Sequence, residues 1–177
     1  SYSDRAVIVT RKKRLFYSRV MLPNLIAGEV GPAEMTFAPE NLLENPRVEV
    51  ITAEAKSLDT LSKRVILDNG QGISYDKLLI TTGASPIKME VPGKDLPGVF
   101  YLRDLEDAQA IRDWSRKAKK CVVLGGGLIS LKASVAVKNL VDDVGILVGS
   151  SGVLSKIADS TTAGWIHDIL LSNGIDI

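Results

Sequence analysis

Cysteine is scarce in this chain of 177 residues, and so are long apolar runs. The one cysteine, Cys121, excludes an intrachain disulfide, a CxxC redox pair and a multi-cysteine metal site. The 22 basic and 21 acidic residues give a net charge of +1, which favours neither nucleic acid nor an anionic membrane as a partner. No apolar run reaches the roughly 18–20 residues of a membrane span, and the polar, charged start is not a signal peptide. We therefore expect a cytoplasmic protein.

The composition is that of a folded protein, with 45% hydrophobic and 24% charged residues. The carboxylates are scattered over predicted helix starts and turns, so we propose no acid/base pair, no catalytic residue and no metal site. His167 lies in a predicted amphipathic helix without a carboxylate or cysteine cluster, which favours a partly exposed structural histidine over a catalytic one. Trp114 and Trp165 also lie on predicted helices, where packing is favoured over stacking on a cofactor.

Apolar strands and turns alternate in the first half of the chain. Strands are predicted over residues 6–10 and 48–51, and a short helix over residues 22–27. Asp68-Asn69-Gly70 follows an apolar stretch and predicts a hairpin turn. Residues 75–82 contain a continuous apolar core, which is typical of a strand covered on both faces.

The second half begins after three prolines in residues 85–98, which predict a connection between lobes. Asp104 is expected to cap a helix, and Asp159 a later one that is closed by Asn173-Gly174. Between them the pattern predicts a strand over residues 121–124, a glycine turn, a helix over residues 128–138 and a strand over residues 144–148. This alternation is typical of a parallel α/β unit.

The sequence Gly125-Gly126-Gly127-Leu128-Ile129-Ser130 follows a strand and opens a helix, as a dinucleotide fingerprint does. Gly125 allows a tight turn, and Gly127 lets the backbone approach a pyrophosphate at the positive end of the helix. Ser130 replaces a third glycine that serves helix–strand packing. The next strand ends in Gly149-Ser150-Ser151 rather than an acidic ribose ligand or an arginine, which leaves NAD and NADP open. A tight packing turn of another α/β fold is the alternative.

Residues 75–86, YDKLLITTGASP, resemble the YDxLhhATGxxP segment of the FAD-dependent pyridine nucleotide-disulfide oxidoreductase superfamily. Residues 91–93 are similar to its IPG connection, and residues 98–107 to its GVhxLRxxxDA segment. Residues 122–133 are similar to its VVhGGGLIGLxAA fingerprint, although Lys132 stands where many members have glutamate. The resemblance implies that Thr81, Thr82 and Gly83 let the main chain pass close to FAD.

The early stretch narrows the resemblance to one branch. Residues 17–29, with Tyr17, Arg19 and Ala27-Gly28-Glu29, resemble a segment of rubredoxin reductases and of the flavin module of NADH-dependent nitrite reductases. The resemblance implies that Arg19 contacts the flavin and that main chain near Ala55 lies against the adenine. Related oxidases and disulfide reductases carry a redox cysteine in this region, and this chain has none before Cys121. A thiol mechanism is therefore disfavoured.

The resemblance implies an α/β, FAD/NAD(P)-binding Rossmann-like three-layer fold, in two incomplete lobes with a small antiparallel β insertion. Residues 1–103 would be a partial FAD-binding domain that lacks its N-terminal GxGxxG unit, and residues 104–177 a partial NAD(P)-binding domain. The parent protein would pass electrons from NAD(P)H through FAD to an external acceptor such as rubredoxin, a ferredoxin-like protein or a nitrite-reductase-type module. The implied cofactor-binding residues are Arg19, Ala55, Thr81, Thr82, Gly83, Gly125, Gly127, Leu128, Ile129 and Ser130.

Hydride transfer between nicotinamide and flavin needs proximity rather than a protein nucleophile, so the lack of a catalytic constellation fits this interpretation. We expect the isolated chain to be inactive, and a homodimer that covers exposed sheet edges is a further hypothesis. The alternative is a non-enzymatic nucleotide-binding or scaffold module that has lost its cofactors. Arg11, Ser130 and Gly149 at ligand positions favour that alternative.

Overall fold

The computed structural model describes residues 5–12, 16–37 and 41–177. These residues form two compact units. One unit comprises residues 1–17 and 36–84, and the other comprises residues 18–35 and 85–177.

The first unit contains a parallel strand pair and a small antiparallel sheet. Strand β1 (Ala6–Thr10) pairs with β2 (Val48–Thr52), with Ala6 opposite Val48. Valine and isoleucine dominate both strands, because β-branched side chains pack well on a pleated surface. The antiparallel sheet consists of β3 (Ala55–Asp59), β4 (Arg64–Leu67) and β5 (Gly72–Ser74), in that order.

The predicted hairpin turn at residues 68–70 is confirmed. Gly70 has φ +82° and its N–H donates to the carbonyl of Leu67 at 3.0 Å, which closes the turn between β4 and β5. Only a residue that tolerates positive φ closes such a turn without strain. The small antiparallel sheet that the family resemblance implied is therefore present.

The strand predicted over residues 75–82 is wrong for this structure. Residues 75–84 belong to no strand, and Leu79 and Ile80 are 84% and 63% exposed. An apolar run indicates that the side chains of a segment favour burial. A strand also needs a neighbouring strand to accept and donate its backbone hydrogen bonds. None of the strands in the described part of the chain pairs with this segment.

The second unit begins with short helices. A 3-10 turn (Arg19–Met21) leads into α1 (Leu22–Ala27), which ends at Gly28 with φ +84°. Helix α2 (Leu105–Ser115) starts at the predicted cap: the Asp104 side chain accepts from the N–H of Asp107, and the Asp107 carboxylate accepts from the N–H of Asp104. This reciprocal capping box fixes the start of α2.

A parallel three-stranded sheet forms the rest of the unit. Strand β6 (Lys120–Leu124) pairs with β7 (Asp143–Leu147), which pairs with β8 (Ile175–Asp176). Helix α3 (Leu128–Lys138) connects β6 to β7, and α4 (Ser160–Ser172) connects β7 to β8. Both crossovers join parallel strands, as in a Rossmann-like unit. The core of this unit includes Leu131, Val137, Val144, Ile146 and Ile175.

Apolar side chains remain exposed on this sheet and on α4. Val122, Leu124 and Leu147 are each more than half exposed, whereas Val144 and Ile146 of β7 are buried. On α4 the expected cap Asp159 is confirmed, and the packing role expected for Trp165 is wrong, because its side chain is 65% exposed. Trp114 does pack, edge-on against Phe100 with ring centroids 5.9 Å apart.

Within the described ranges, the helices all lack the length and apolar character needed to cross a bilayer.

Candidate functional site

The three glycines between β6 and α3 have different structural roles. Gly125 has φ +106°, and its N–H donates to the carbonyl of Leu147 at 2.8 Å. Gly126 faces the following loop, because a Cβ there would lie 3.0 Å from Val148 Cγ1 and 3.3 Å from the carbonyl oxygen of Gly152. Gly127 faces open space, with no heavy atom within 4 Å of the position of a Cβ. Gly125 and Gly126 are thus held by the end of β7 and the loop after it, whereas the space beside Gly127 is open.

The start of α3 differs from the starts of α2 and α4. Those two helices are capped by the carboxylates of Asp104 and Asp159, whereas the cap of α3 is Gly127 and no side chain caps it. The first turn of α3 carries no acidic residue. A helix start of this kind offers N–H groups and a positive dipole end to an anion without competition from a carboxylate.

The residues predicted around this turn lie together. Leu128 and Ile129, in the first turn of α3, are 58% and 63% exposed beside the open side of Gly127. The Ser130 hydroxyl donates to the carbonyl of Leu124 at 3.5 Å, which ties the helix to the end of β6. Gly125, Gly127, Leu128, Ile129 and Ser130 therefore form one surface at the carboxyl end of the strand.

A groove in the first unit brings together three of the residues predicted to bind FAD. Ala55, Thr81 and Thr82 line a cavity of about 390 Å³. Its other walls combine the polar residues Lys56 and Ser57 of β3 with apolar side chains of β1, β3, β4 and the exposed segment: Val7, Val9, Leu58, Val65, Leu78, Leu79 and Ile80. This volume lies in the lower part of the range of small-molecule sites, about 300–1,000 Å³. Gly83 follows the groove with φ +72° and is exposed.

Arg19 lies elsewhere in the chain, in the 3-10 turn of the second unit, and its side chain is exposed. The structure groups Ala55 with Thr81 and Thr82 in the first unit, and Arg19 belongs to the second unit. The assignment of Arg19 to a flavin stays a prediction.

The sequence interpretation missed the role of Gly126. Its carbonyl accepts from the N–H of Leu154 at 2.7 Å, so the loop after β7 folds back onto the glycine turn. The sequence did contain a signal for this role. A fingerprint needs glycine only at the positions of Gly125 and Gly127 here, so the glycine between them indicates a further close contact.

The loop after β7 also lines a second cavity of about 410 Å³, which includes Ser151, Ser155 and, from α4, His167.

The environment of the single thiol favours its protonated form. Cys121 lies half-buried in β6, and burial raises the pKa of its thiol. A raised pKa lowers the fraction of reactive thiolate near neutral pH. Residues 5–12, 16–37 and 41–177 contain no group of three or more histidine, cysteine, aspartate or glutamate side chains that could hold a metal ion.

The chain is similar to several known proteins. The chain is 32% identical over 160 residues to an assimilatory nitrate reductase electron transfer subunit from Bacillus subtilis, covering 90% of this chain and 21% of the relative. It is 26% identical over 176 residues to a rubredoxin-NAD(+) reductase from Pseudomonas putida, covering 98% of this chain and 46% of the relative. A ferredoxin reductase for the CYP199A2 system from Rhodopseudomonas palustris matches with a TM-score of 0.91 and 27% identity, over 99% of this chain and 44% of that one.

The chain thus spans between a fifth and a half of the length of these relatives. The solved structure confirms the α/β, Rossmann-like fold that the sequence predicted. The family model for pyridine nucleotide-disulphide oxidoreductases matches residues 1–177. The chain therefore belongs to the pyridine nucleotide-disulphide oxidoreductase family.

Proposed function

We propose that this chain is the nucleotide-binding part of a flavoprotein oxidoreductase that passes electrons from NAD(P)H through FAD to an external acceptor. The acceptor would be rubredoxin, a ferredoxin-like protein or a nitrite-reductase-type module. The names of the relatives support this class of acceptor, since one is an electron transfer subunit and another reduces rubredoxin. Bound flavin would supply hydride acceptance and onward electron transfer.

The observation that carries the proposal is the open start of α3. Gly127 leaves space where a side chain would stand, and no carboxylate competes for the N–H groups of the first turn. This arrangement fits the pyrophosphate of NAD(P)H, which gains hydrogen bonds from the backbone and favourable interaction with the helix dipole. Leu128 and Ile129 would then lie beside the bound dinucleotide.

The groove at Ala55, Thr81 and Thr82 supports a contact with FAD. Its small side chains would allow main chain to approach a flat ring, and its apolar side chains would pack against one face of that ring. We assign the neighbouring Gly83 to the same contact. It has a positive φ and no Cβ, so its main chain could approach the ring closely. Arg19 is proposed as a further flavin contact, on the sequence resemblance alone.

The domain assignment belongs to the same proposal. We propose that residues 1–103 are part of a FAD-binding domain and that residues 104–177 are part of an NAD(P)-binding domain. A cytoplasmic location fits chemistry that consumes reduced pyridine nucleotide. A homodimer would cover the apolar sheet face of Val122, Leu124 and Leu147, which is exposed in the single chain.

The second candidate is a non-enzymatic nucleotide-binding or scaffold module. The observation that favours it is the exposure of the segment at Leu79 and Ile80, which lies along the proposed FAD groove. A groove with one exposed wall holds a cofactor less firmly than an enclosed site. On this view the chain would bind neither cofactor at physiological concentrations.

A thermal-shift experiment separates the two candidates. A ligand that binds only the folded chain raises its melting temperature as the ligand concentration exceeds Kd. We expect NADH or NADPH to raise the melting temperature of the wild-type chain, and Gly127→Val to abolish the rise because its side chain fills the open space. Ser74→Val is the control, since it places the same side chain at an exposed position of β5, in the other unit. No rise for the folded wild-type chain would favour the module.

We expect the purified chain to be colourless and inactive in NADH oxidation. Flavin absorption bands near ~380 and ~450 nm would contradict that expectation and would show that the groove alone holds FAD.

A further inference from the structure

We propose that Asn69 is a site of spontaneous deamidation, which converts it to aspartate and isoaspartate faster than Asn173 is converted. Both residues precede a glycine, in the sequences Asn69-Gly70 and Asn173-Gly174. Glycine has no side chain to shield its main-chain nitrogen, so this nitrogen reaches the preceding amide more easily than that of any other residue. The proposal concerns the hairpin turn between β4 and β5 and does not depend on the proposed function.

The reaction takes place within the main chain. The nitrogen of Gly70 loses its proton to solvent and attacks Cγ of Asn69. A succinimide ring forms as the bond from Cγ to Nδ2 breaks and ammonia leaves. Water then opens the ring: attack at Cγ gives aspartate, and attack at the main-chain carbonyl carbon gives isoaspartate. The net change replaces an amide by a carboxyl group and needs no oxidant or reductant.

The main chain is similar at the two sites. Asn69 and Asn173 are both exposed, and the glycines that follow them have φ angles of +82° and +70°. Each glycine N–H also donates to the carbonyl three residues before it, at 3.0 Å for Gly70 and 2.9 Å for Gly174. A difference in rate in the folded chain must therefore come from how the two asparagine side chains are held.

The carbonyl of the Asn69 side chain accepts a hydrogen bond from the main chain. The N–H of Gln71 donates to Oδ1 of Asn69 at 2.9 Å. Negative charge collects on this oxygen as the nitrogen of Gly70 bonds to Cγ, and a donor aimed at the oxygen stabilises that charge. A main-chain N–H can bond only to the oxygen of the amide, so the contact holds the carbonyl end of the side chain at the turn.

The side chain of Asn173 is held through its nitrogen instead. Its Nδ2 atom donates to the carbonyl of Ile169 at 2.7 Å, so the amide is tied to the last turn of α4. This hydrogen bond must break before the side chain can turn toward the nitrogen of Gly174, which adds to the barrier for ring formation. We therefore expect the folded chain to protect Asn173 more than Asn69.

Asn45 has the same kind of hydrogen bond as Asn69 but lacks a reactive neighbour. Its Oδ1 atom accepts from the N–H of Arg47 at 3.0 Å, and the residue between them is Pro46. The nitrogen of proline has no hydrogen to lose, so it cannot close the ring. Among the asparagines in the described ranges, Asn69 is the one that combines a bonded Oδ1 with a following glycine.

The modification changes the hairpin in which it occurs. Isoaspartate adds a methylene group to the main chain between residues 69 and 70, and its new carboxylate lies next to Asp68 in the sequence. Strands β4 and β5 pair on either side of this turn, with Ile66 opposite Gly72. A lengthened turn no longer fits that register, so we expect the modified hairpin to open more readily.

Trypsin places the two sites in separate peptides. Cleavage after Arg64, Lys77 and Lys156 releases residues 65–77 and residues 157–177. The whole chain is incubated at mildly alkaline pH, and samples taken over time are digested. Liquid chromatography with mass spectrometry then measures the asparagine, aspartate and isoaspartate forms of each peptide.

In the folded wild-type chain we expect Asn69 to react at least about tenfold faster than Asn173. In urea both side chains are free, and the two rates should lie within about threefold of each other. Gln71→Pro removes the N–H that donates to Asn69, and in the folded chain it should slow the reaction there by about threefold or more. Gln71→Ala keeps that N–H and is the matched control, with the wild-type rate expected.

Three results would overturn the inference. The first is an equal rate at Asn69 and Asn173 in the folded chain. The second is a difference that persists in urea, because the neighbouring sequence rather than the fold would then set it. The third is an unchanged rate at Asn69 in a Gln71→Pro chain that circular dichroism shows to be folded. The wild-type comparison needs no variant, so it decides the matter even if Gln71→Pro does not fold.

Discussion

The guanidinium group of Arg112 lies across Gly28. Its Nη2 atom is 2.8 Å from the position that a Cβ on Gly28 would occupy. Gly28 ends α1 with φ +84°, and Arg112 lies in the last turn of α2, so the contact joins the ends of two helices. The Nε atom of Arg112 is buried and has no hydrogen-bond acceptor in the described residues. This indicates that packing holds the Arg112 side chain in place.

Gly28→Ala should lower the free energy of unfolding by about 1–2 kcal/mol, because a left-handed conformation strains any residue with a Cβ. Displacing the flexible end of Arg112 should add little. Urea unfolding followed by circular dichroism measures the change. Gly164→Ala is the control: it lies inside α4 facing open space, and alanine there should be neutral or stabilising by up to about 1 kcal/mol. Equal effects at the two positions would contradict the strain argument.

Gly126→Ala and Gly127→Ala should separate stability from binding. The first forces a methyl group against Val148 and the main chain at Val153, so the free energy of unfolding should fall by about 1–3 kcal/mol. The second places its methyl group in open space, and its effect on stability should stay below about 1 kcal/mol. If the proposed function holds, Gly127→Ala should nevertheless weaken NADH binding by about tenfold. Calorimetric titration and urea unfolding of both variants give the two measurements.

The ion pair between Lys120 and Asp143 should stabilise the fold across neutral pH. The two residues lie opposite each other on β6 and β7, with Nζ 2.7 Å from Oδ2. The hydrogen bond from Lys120 lowers the pKa of Asp143, and the bond to Asp143 raises the pKa of Lys120. Stability from the lowered pKa is present above the usual aspartate pKa and is lost as pH falls through the folded value. Stability from the raised pKa is lost only at strongly alkaline pH.

Asp143→Asn should therefore lower the melting temperature slightly at pH 7, and the difference from wild type should disappear in acid. Both groups are exposed, so the effect should be small and should shrink in high salt. Differential scanning calorimetry from neutral to acid pH measures it. Asp142→Asn, one residue earlier and outside this pair, is the control. A difference that persists unchanged after Asp143 is protonated would point to packing rather than charge.

Cys121 should react slowly with iodoacetamide in the folded chain. Burial raises the pKa of its thiol, so less thiolate is present at a given pH than in the unfolded chain. The rate should rise steeply between mildly and strongly alkaline pH, and urea should accelerate it at pH 8. Mass spectrometry of the alkylated chain measures both effects. Rapid alkylation of the folded chain at neutral pH would show that the thiol is exposed and activated.

Much of the local structure could be predicted from the sequence because its causes lie within a few residues. Asp104 and Asp159 cap helices through hydrogen bonds to N–H groups two or three residues away. Gly70 closes its hairpin through its own φ. The glycine turn after β6 follows from the same kind of local requirement, and so does the family resemblance that it carries.

The failures share a different cause. Residues 75–82 were predicted as a buried strand and Trp165 as a packing residue, yet residues 76–82 and Trp165 are exposed. Burial of an apolar side chain is favourable, but the local sequence does not specify which segment will pack over it. For residues 75–82, none of the described strands takes that place.

The sequence by itself therefore determined the helices, the turns, the glycine-rich start of α3 and membership of a dinucleotide-binding class, since hydrogen bonds and φ preferences act between near neighbours. Only the tertiary structure decided that Ala55 meets Thr81 and Thr82 in one groove and that Gly126 packs against the loop after β7. Those relationships join residues more than twenty positions apart, and they depend on strand pairing and packing that no local pattern specifies.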